Sequence, residues 1–130
     1  MSDQKMLVLV ADDEALVRAT LCRKLEDAGF ATVQAANGFQ ALEIVGRLDV
    51  AVVVIDIVMP EKEGLSTIGQ IKEGKPGLPI LAISGGGAGD AQDYLRFAKE
   101  LGADEIMAKP FFGDEFVNCV KRLASGRRPD

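Results

Sequence analysis

Residues 50–55, Val-Ala-Val-Val-Val-Ile, form an unbroken apolar run, β-branched except at Ala51, that ends on the carboxylate of Asp56. β-branched side chains favour extended backbone. Unbroken apolarity, in place of alternation, requires burial on both faces of a sheet. The run therefore predicts a central parallel strand with helices above and below it. It is far too short to span a membrane.

The rest of the chain supplies such a fold. Residues 6–11, 31–35, 79–83 and 106–108 read as further strands. Between them lie helical patterns: Val17, Leu21, Leu25 and Ala28; Ala41, Leu42, Val45 and Leu48; Leu65, Ile68 and Ile71; Ala91, Tyr94, Leu95, Ala98 and Leu101; and Phe116, Val120 and Leu123. Asn37 stands where a helix cap belongs, while Gly29 and Gly102 stand where helices end. A Gly74-Lys75-Pro76-Gly77 turn closes the third helix. Five βα units with short connections predict an α/β, doubly wound parallel sheet with helices on both faces. At 130 residues the chain holds one domain, over residues 1–125, and a short tail over 126–130 with Arg127 and Arg128.

Composition narrows the chemistry. Nearly half the residues are apolar (48%), enough for a substantial core, and the net charge of −5 argues against nucleic acid as a direct partner. No histidine is present, which removes Ser-His-Asp and Cys-His catalysis and most zinc sites. Cys22 and Cys119 lack metal-ligand spacing and read as small core residues. The opening MSDQK carries an early acid and runs straight into a strand, unlike a signal peptide. A reducing cytoplasm is expected, with no membrane insertion.

Ligands of open α/β sheets bind at the carboxyl ends of the strands. Those ends carry Asp12 and Asp13 (with Glu14 next), then Asp56, Ser84 and Lys109. Three carboxylates gathered at one edge repel each other, and a hard divalent cation such as Mg²⁺ relieves that repulsion. Mg²⁺, an ammonium and a hydroxyl are also what a transferring phosphoryl group requires, and Asp is an established acceptor of one. Taken singly, each residue has a plainer reading. Asp12 and Asp13 could cap the first helix, Ser84 could simply end a strand, and Lys109-Pro110 could form a turn. Asp56 would then be a buried carboxylate with an unnamed partner. Four coincidences on one edge are harder to accept than one site.

With those motifs in order — Val-Ala-Asp12-Asp13-Glu14, Asp56-Ile-Val-Met-Pro60 with Gly64, Ile-Ser84-Gly and Lys109-Pro110-Phe111 — the chain resembles a bacterial two-component response-regulator receiver domain over residues 5–124. The resemblance implies a flavodoxin-like (βα)5 fold with strand order 2-1-3-4-5. It implies Asp56 as the phosphorylated residue, with a histidine kinase or histidine phosphotransfer protein as donor. Asp13, Asp56 and the Val58 backbone carbonyl would hold Mg²⁺, Asp12 reaching it mainly through water. Ser84 and Lys109 would contact phosphoryl oxygens, and the Lys109-Pro110 peptide would be cis. No turnover of an external substrate is implied, only self-catalysed phosphoryl acceptance and slow self-dephosphorylation.

The chain departs from the family pattern at Ile106, where receivers usually carry an aromatic residue that turns inward on activation. If a loop moves instead, the glycine-rich segment 84–89 is the natural candidate, against a plain permissive connection. Val58 and Gly86 stand at positions resembling those that tune self-hydrolysis, and neither orients water, so a long-lived acyl phosphate is expected. Two phosphate-loop imitations fail. Residues 69–75 resemble a Walker A loop, but Pro76 replaces its Ser/Thr, and the glycines after Ser84 lack GxGxxG spacing. Phe97 and Phe112 could serve partner contact or ordinary edge packing.

The leading expectation is a stand-alone phosphorylation switch acting through protein contacts, since the chain stops after the fifth helix. The alternatives are a degenerate receiver binding partners constitutively, and an aspartate-nucleophile phosphatase. The latter would need a second acid where Val58 stands.

Overall fold

The computed structural model describes residues 5–57, 64–85, 91–109, 111 and 114–126, with the side chains of 91–95 excepted. Five strands alternate with five helices: β1 Leu7–Ala11, α1 Ala15–Asp27, β2 Ala31–Ala35, α2 Gly38–Arg47, β3 Val52–Asp56, α3 Gly64–Gly74, β4 Ile80–Ser84, α4 Ala91–Leu101, β5 Glu105–Ala108 and α5 Glu115–Gly126. The strands form one parallel sheet in the order β2-β1-β3-β4-β5, as expected.

β3 is central and buried at every position. Its side chains divide by the two-residue period of a strand. Val53 and Ile55 pack with Ile68, Ile71 and Ala98 of α3 and α4 on one face. Val52 and Val54 pack with Leu21, Leu25, Phe116 and Val120 of α1 and α5 on the other. Burying each Val or Ile side chain contributes about 1.5–3 kcal/mol. Four such residues on one strand offset the cost of carrying a carboxylate at its end.

The expected strand limits shift slightly. β3 starts at Val52 because the Val50 amide turns back to the Leu48 carbonyl (3.1 Å), and it runs on to include Asp56. β1 begins at Leu7, β4 spans Ile80–Ser84, and β5 includes Glu105. Two assigned core positions lie outside the core. Leu48, the C-cap of α2, and Leu101, the last residue of α4, are both exposed. Helix periodicity continues to the end of a pattern, whereas the sheet surface beneath it does not.

The local signals hold. Asn37 caps α2 by accepting from the Gln40 amide at 2.9 Å. Gly29 and Gly102 adopt φ of 101° and 120°, conformations that strain any L side chain. Both cysteines are free and buried.

Candidate functional site

All four expected strand ends meet at one edge of the sheet. Asp12 follows β1, Asp56 ends β3, Ser84 ends β4, and Lys109 follows β5. Asp56 pairs in register with Ile83, one position before Ser84, and Ser84 pairs with Ala108, one position before Lys109. The Lys109 amide donates to the Ser84 carbonyl at 2.8 Å, which fixes the turn of the chain out of β5.

Asp12, Asp56 and Ser84 are buried, and Asp13 is exposed. Neither aspartate of the pair caps α1. The N-cap is Glu14, which makes no side-chain cap bond. Asp12 Oδ1 instead accepts from the Glu14 amide at 2.9 Å, and its Oδ2 accepts from Lys109 Nζ at 2.9 Å. Lys109 Nζ also reaches Asp56 Oδ2 at 3.2 Å. The lysine therefore bridges two buried carboxylates that follow different strands, β1 and β3.

Burial works against the ammonium charge of Lys109. Its hydrogen bond to Asp12 and the charges of Asp56 and Asp12 outweigh that effect, holding its pKa above the ordinary lysine value. Lys109 is thus a permanent cation at neutral pH.

One lysine does not neutralise the cluster. One carboxylate oxygen from each of Asp12, Asp13 and Asp56 lies within 4.8 Å of the others. At an effective dielectric constant of 20, two charges at that separation repel by roughly 3–4 kcal/mol. Three hard oxygen donors in one pocket suit a small divalent cation that keeps further positions for water and phosphate oxygens. The residues present fit Mg²⁺.

Gly64 makes this arrangement possible. A Cβ there would lie 2.3 Å from the Asp56 carbonyl oxygen and 2.5 Å from Ile57 Cα. Only a glycine lets the start of α3 approach the end of β3 so closely.

Some expectations lie outside the described residues: the Val58 carbonyl, Pro60, Gly86 with the rest of 86–90, the Lys109-Pro110 peptide, Phe112 and the tail beyond 126. Ile106 is on β5, paired with Ala82 and exposed. Phe97 is exposed on α4. Sequence reasoning missed Arg18, whose Nη1 donates to the Asp12 carbonyl at 2.7 Å and whose Nε donates to Gln34 Oε1 at 3.0 Å. Its position in the first turns of α1, six residues after Asp12, was the available signal.

The chain belongs to the response regulator receiver domain family, whose profile matches residues 8–121. It is 32% identical over 125 residues to the response regulator MprA of Mycobacterium leprae, covering 96% of this chain and 54% of that protein. The chain thus spans about half the length of that relative. The beryllofluoride-activated NtrC4 receiver domain dimer is similar at 30% identity and a TM-score of 0.84, covering 94% of this chain and 98% of that one. A CheY-like receiver domain protein from Methanospirillum hungatei JF-1 shares the fold, with a TM-score of 0.87 at 19% identity, over 95% and 97% of the two chains.

The protein is a receiver domain of the two-component response-regulator kind, the class that works as a phosphorylation-dependent switch. Receiver domains accept phosphate from histidine kinases and generally bind Mg²⁺ in an acidic pocket; here Asp12, Asp13 and Asp56 form an acidic cluster. Among the described residues, no helix is long and apolar enough to cross a membrane.

Proposed function

We propose that Asp56 is the phosphoryl acceptor of this switch and that Asp12, Asp13 and Asp56 hold Mg²⁺, with the Val58 carbonyl as a further ligand. The observation that carries this reading is the convergence of Lys109 on Asp56 and Asp12 inside a three-carboxylate pocket. When bound, Mg²⁺ neutralises phosphate oxygens and offsets the repulsion among the three acids.

The protein's own groups do the rest. An Asp56 carboxylate oxygen attacks the phosphorus of a phosphohistidine on a kinase or phosphotransfer protein. The new O–P bond forms as the P–N bond breaks, and its electron pair stays on the donor nitrogen, leaving a neutral imidazole because the other ring nitrogen carries the proton. Lys109, already 3.2 Å from Asp56, transfers its hydrogen bonding to a phosphoryl oxygen. The Ser84 hydroxyl donates to another. Neither group needs to gain or lose a proton. The protein modifies itself and turns over no external substrate, and its output is carried by contacts with other proteins, without nucleic acid as a direct partner and in the cytoplasm.

The test is incubation with a small acyl phosphate donor, with Mg²⁺ or with EDTA, followed by intact mass measurement. Wild type with Mg²⁺ gains one phosphoryl group, and Asp56→Ala gains none. An equal adduct on Asp56→Ala would refute the assignment. A wild-type protein that takes up no phosphoryl group would favour a constitutive binding module, and steady hydrolysis of phosphomonoesters would favour a phosphatase.

A further inference from the structure

Asp12 is restrained at every polar atom. Its amide donates to the Ala35 carbonyl at 3.1 Å, its two carboxylate oxygens accept from Glu14 and Lys109, and its carbonyl accepts from Arg18. Asp13 is the opposite case. Its carboxylate is exposed and makes no hydrogen bond or ion pair among the described residues, yet it belongs to the cluster with Asp12 and Asp56. The backbone alone must place it.

That backbone is set by one peptide plane. The Asp12 carbonyl and the Asp13 amide are two ends of the same rigid unit. The Asp12 carbonyl lies just past the end of β1, and among the described residues Arg18 is the group that holds it. Arg18 is itself braced, because its Nε is bonded to Gln34 on β2. A guanidinium holds its donors in one rigid plane, so the bond to Gln34 also sets the direction of the donor to the carbonyl, which the freely rotating donors of an ammonium do less tightly.

We propose that Arg18, braced by Gln34, is a positioning residue for the cation site: it orients the Asp12–Asp13 peptide and thereby aims the Asp13 carboxylate at the metal. This inference rests on the Mg²⁺-dependent reading above. It has a sign that separates it from simple electrostatics. Arg18 is a cation near the site, so charge alone predicts that removing it tightens Mg²⁺ binding. Positioning predicts weaker binding.

The experiment is a Mg²⁺ titration followed by NMR amide shifts for wild type, Arg18→Ala, Arg18→Lys and Gln34→Ala, with thermal unfolding in EDTA as a fold control. Arg18→Ala should weaken Mg²⁺ binding by about tenfold, the lower end for loss of a group that orients a metal ligand. Its phosphoryl uptake from the small donor should return to the wild-type rate once Mg²⁺ saturates the variant. Arg18→Lys should fall between the two, since the charge is kept while the rigid planar arrangement of donors is lost. Gln34→Ala, an exposed change, should weaken binding by roughly twofold to threefold in the same direction.

Unchanged or tighter Mg²⁺ binding in a folded Arg18→Ala protein would overturn the proposal, even if its melting temperature dropped. Should Arg18→Ala fail to fold, unchanged binding in Gln34→Ala would overturn it instead. A wild type that binds no Mg²⁺ would defeat both this inference and the function it rests on. Wild-type binding with an unaffected variant would defeat this inference alone.

Discussion

Lys109 Nζ lies 2.9 Å from Asp12 Oδ2, joining side chains 97 residues apart in sequence across an edge of the sheet that two other strands separate. The bond places a permanent cation beside two buried carboxylates and leaves one negative charge uncompensated between them. With Asp13 included, the excess rises to two. The pocket is therefore electrostatically frustrated until a further cation enters it.

Asp56→Asn tests that frustration. The asparagine oxygen can still accept from Lys109, while the repulsion with Asp12 and Asp13 disappears. Two repulsions removed outweigh one attraction lost, so in EDTA the variant should be more stable by about 1 kcal/mol. Urea unfolding measures this. Saturating Mg²⁺ should then stabilise wild type more than the variant, because ligand bound only to the folded state adds to its stability.

Lys109→Met should act in the opposite direction. Removing the ammonium leaves Asp12 and Asp56 facing each other without it, at a cost of about 3 kcal/mol in EDTA, the low end for breaking a buried pair because Lys109 keeps some solvent contact. Mg²⁺ should restore more stability to this variant than to wild type. Phosphoryl uptake should be slower yet detectable. Because the Lys109 pKa is raised, its pairing is fully present below the ordinary lysine pKa and is lost only as pH rises through the higher folded value. The rate of phosphoryl uptake should therefore show no loss attributable to Lys109 anywhere near neutrality.

The glycines of α3 offer a contrast within one helix. Gly64→Ala would push a Cβ into the Asp56 carbonyl and Ile57, so it should destabilise by at least about 3 kcal/mol or displace the start of the helix. Gly69→Ala meets nothing within 4 Å and should stabilise by about 0.5–1 kcal/mol, the helix-propensity difference. Denaturation midpoints for the two variants check both signs.

The two buried thiols give a pH dependence. Burial pushes Cys22 up, Glu26 adding to the effect while Thr32 and Arg18 oppose it. Burial also raises Cys119, with Glu105 adding and Arg122 opposing. A thiol whose folded pKa is raised contributes stability that is fully present below its ordinary value of 9.0 and lost as pH rises through the folded value. Stability should decline above that pH, and less steeply in Cys22→Ala and Cys119→Ala proteins. Native thiols should react with a thiol reagent only as fast as the protein opens.

The fold was legible because β3 leaves little choice. A continuous Val/Ile run ending in Asp56 demands two covering layers, and the spacing of the other strands supplied them. What sequence could not separate were neighbours differing only in direction. Asp12 and Asp13 read alike, yet one is fully buried and the other exposed, because successive residues leaving a strand face opposite ways. Leu48 and Leu101 fit their helix stripes and still face solvent, since periodicity does not reveal where the underlying sheet stops. Arg18 was missed for another reason, its position near Asp12 being too weak a signal alone. Its significance depends on Gln34, sixteen residues away on an adjacent strand, and on a backbone carbonyl that has no signature in sequence. Gly64 entered only as part of a family motif, and its 2.3 Å clearance supplies the physical reason for it.

The phosphoryl acceptor itself can be located chemically. Borohydride reduces an aspartyl phosphate to homoserine, so protein treated with a small acyl phosphate and Mg²⁺, then reduced and digested, carries a record of the modified residue. Homoserine at position 56 alone, absent when EDTA replaces Mg²⁺, is the expected result. Homoserine at position 12 or 13, or none in a protein that has taken up phosphate, would contradict the assignment of Asp56.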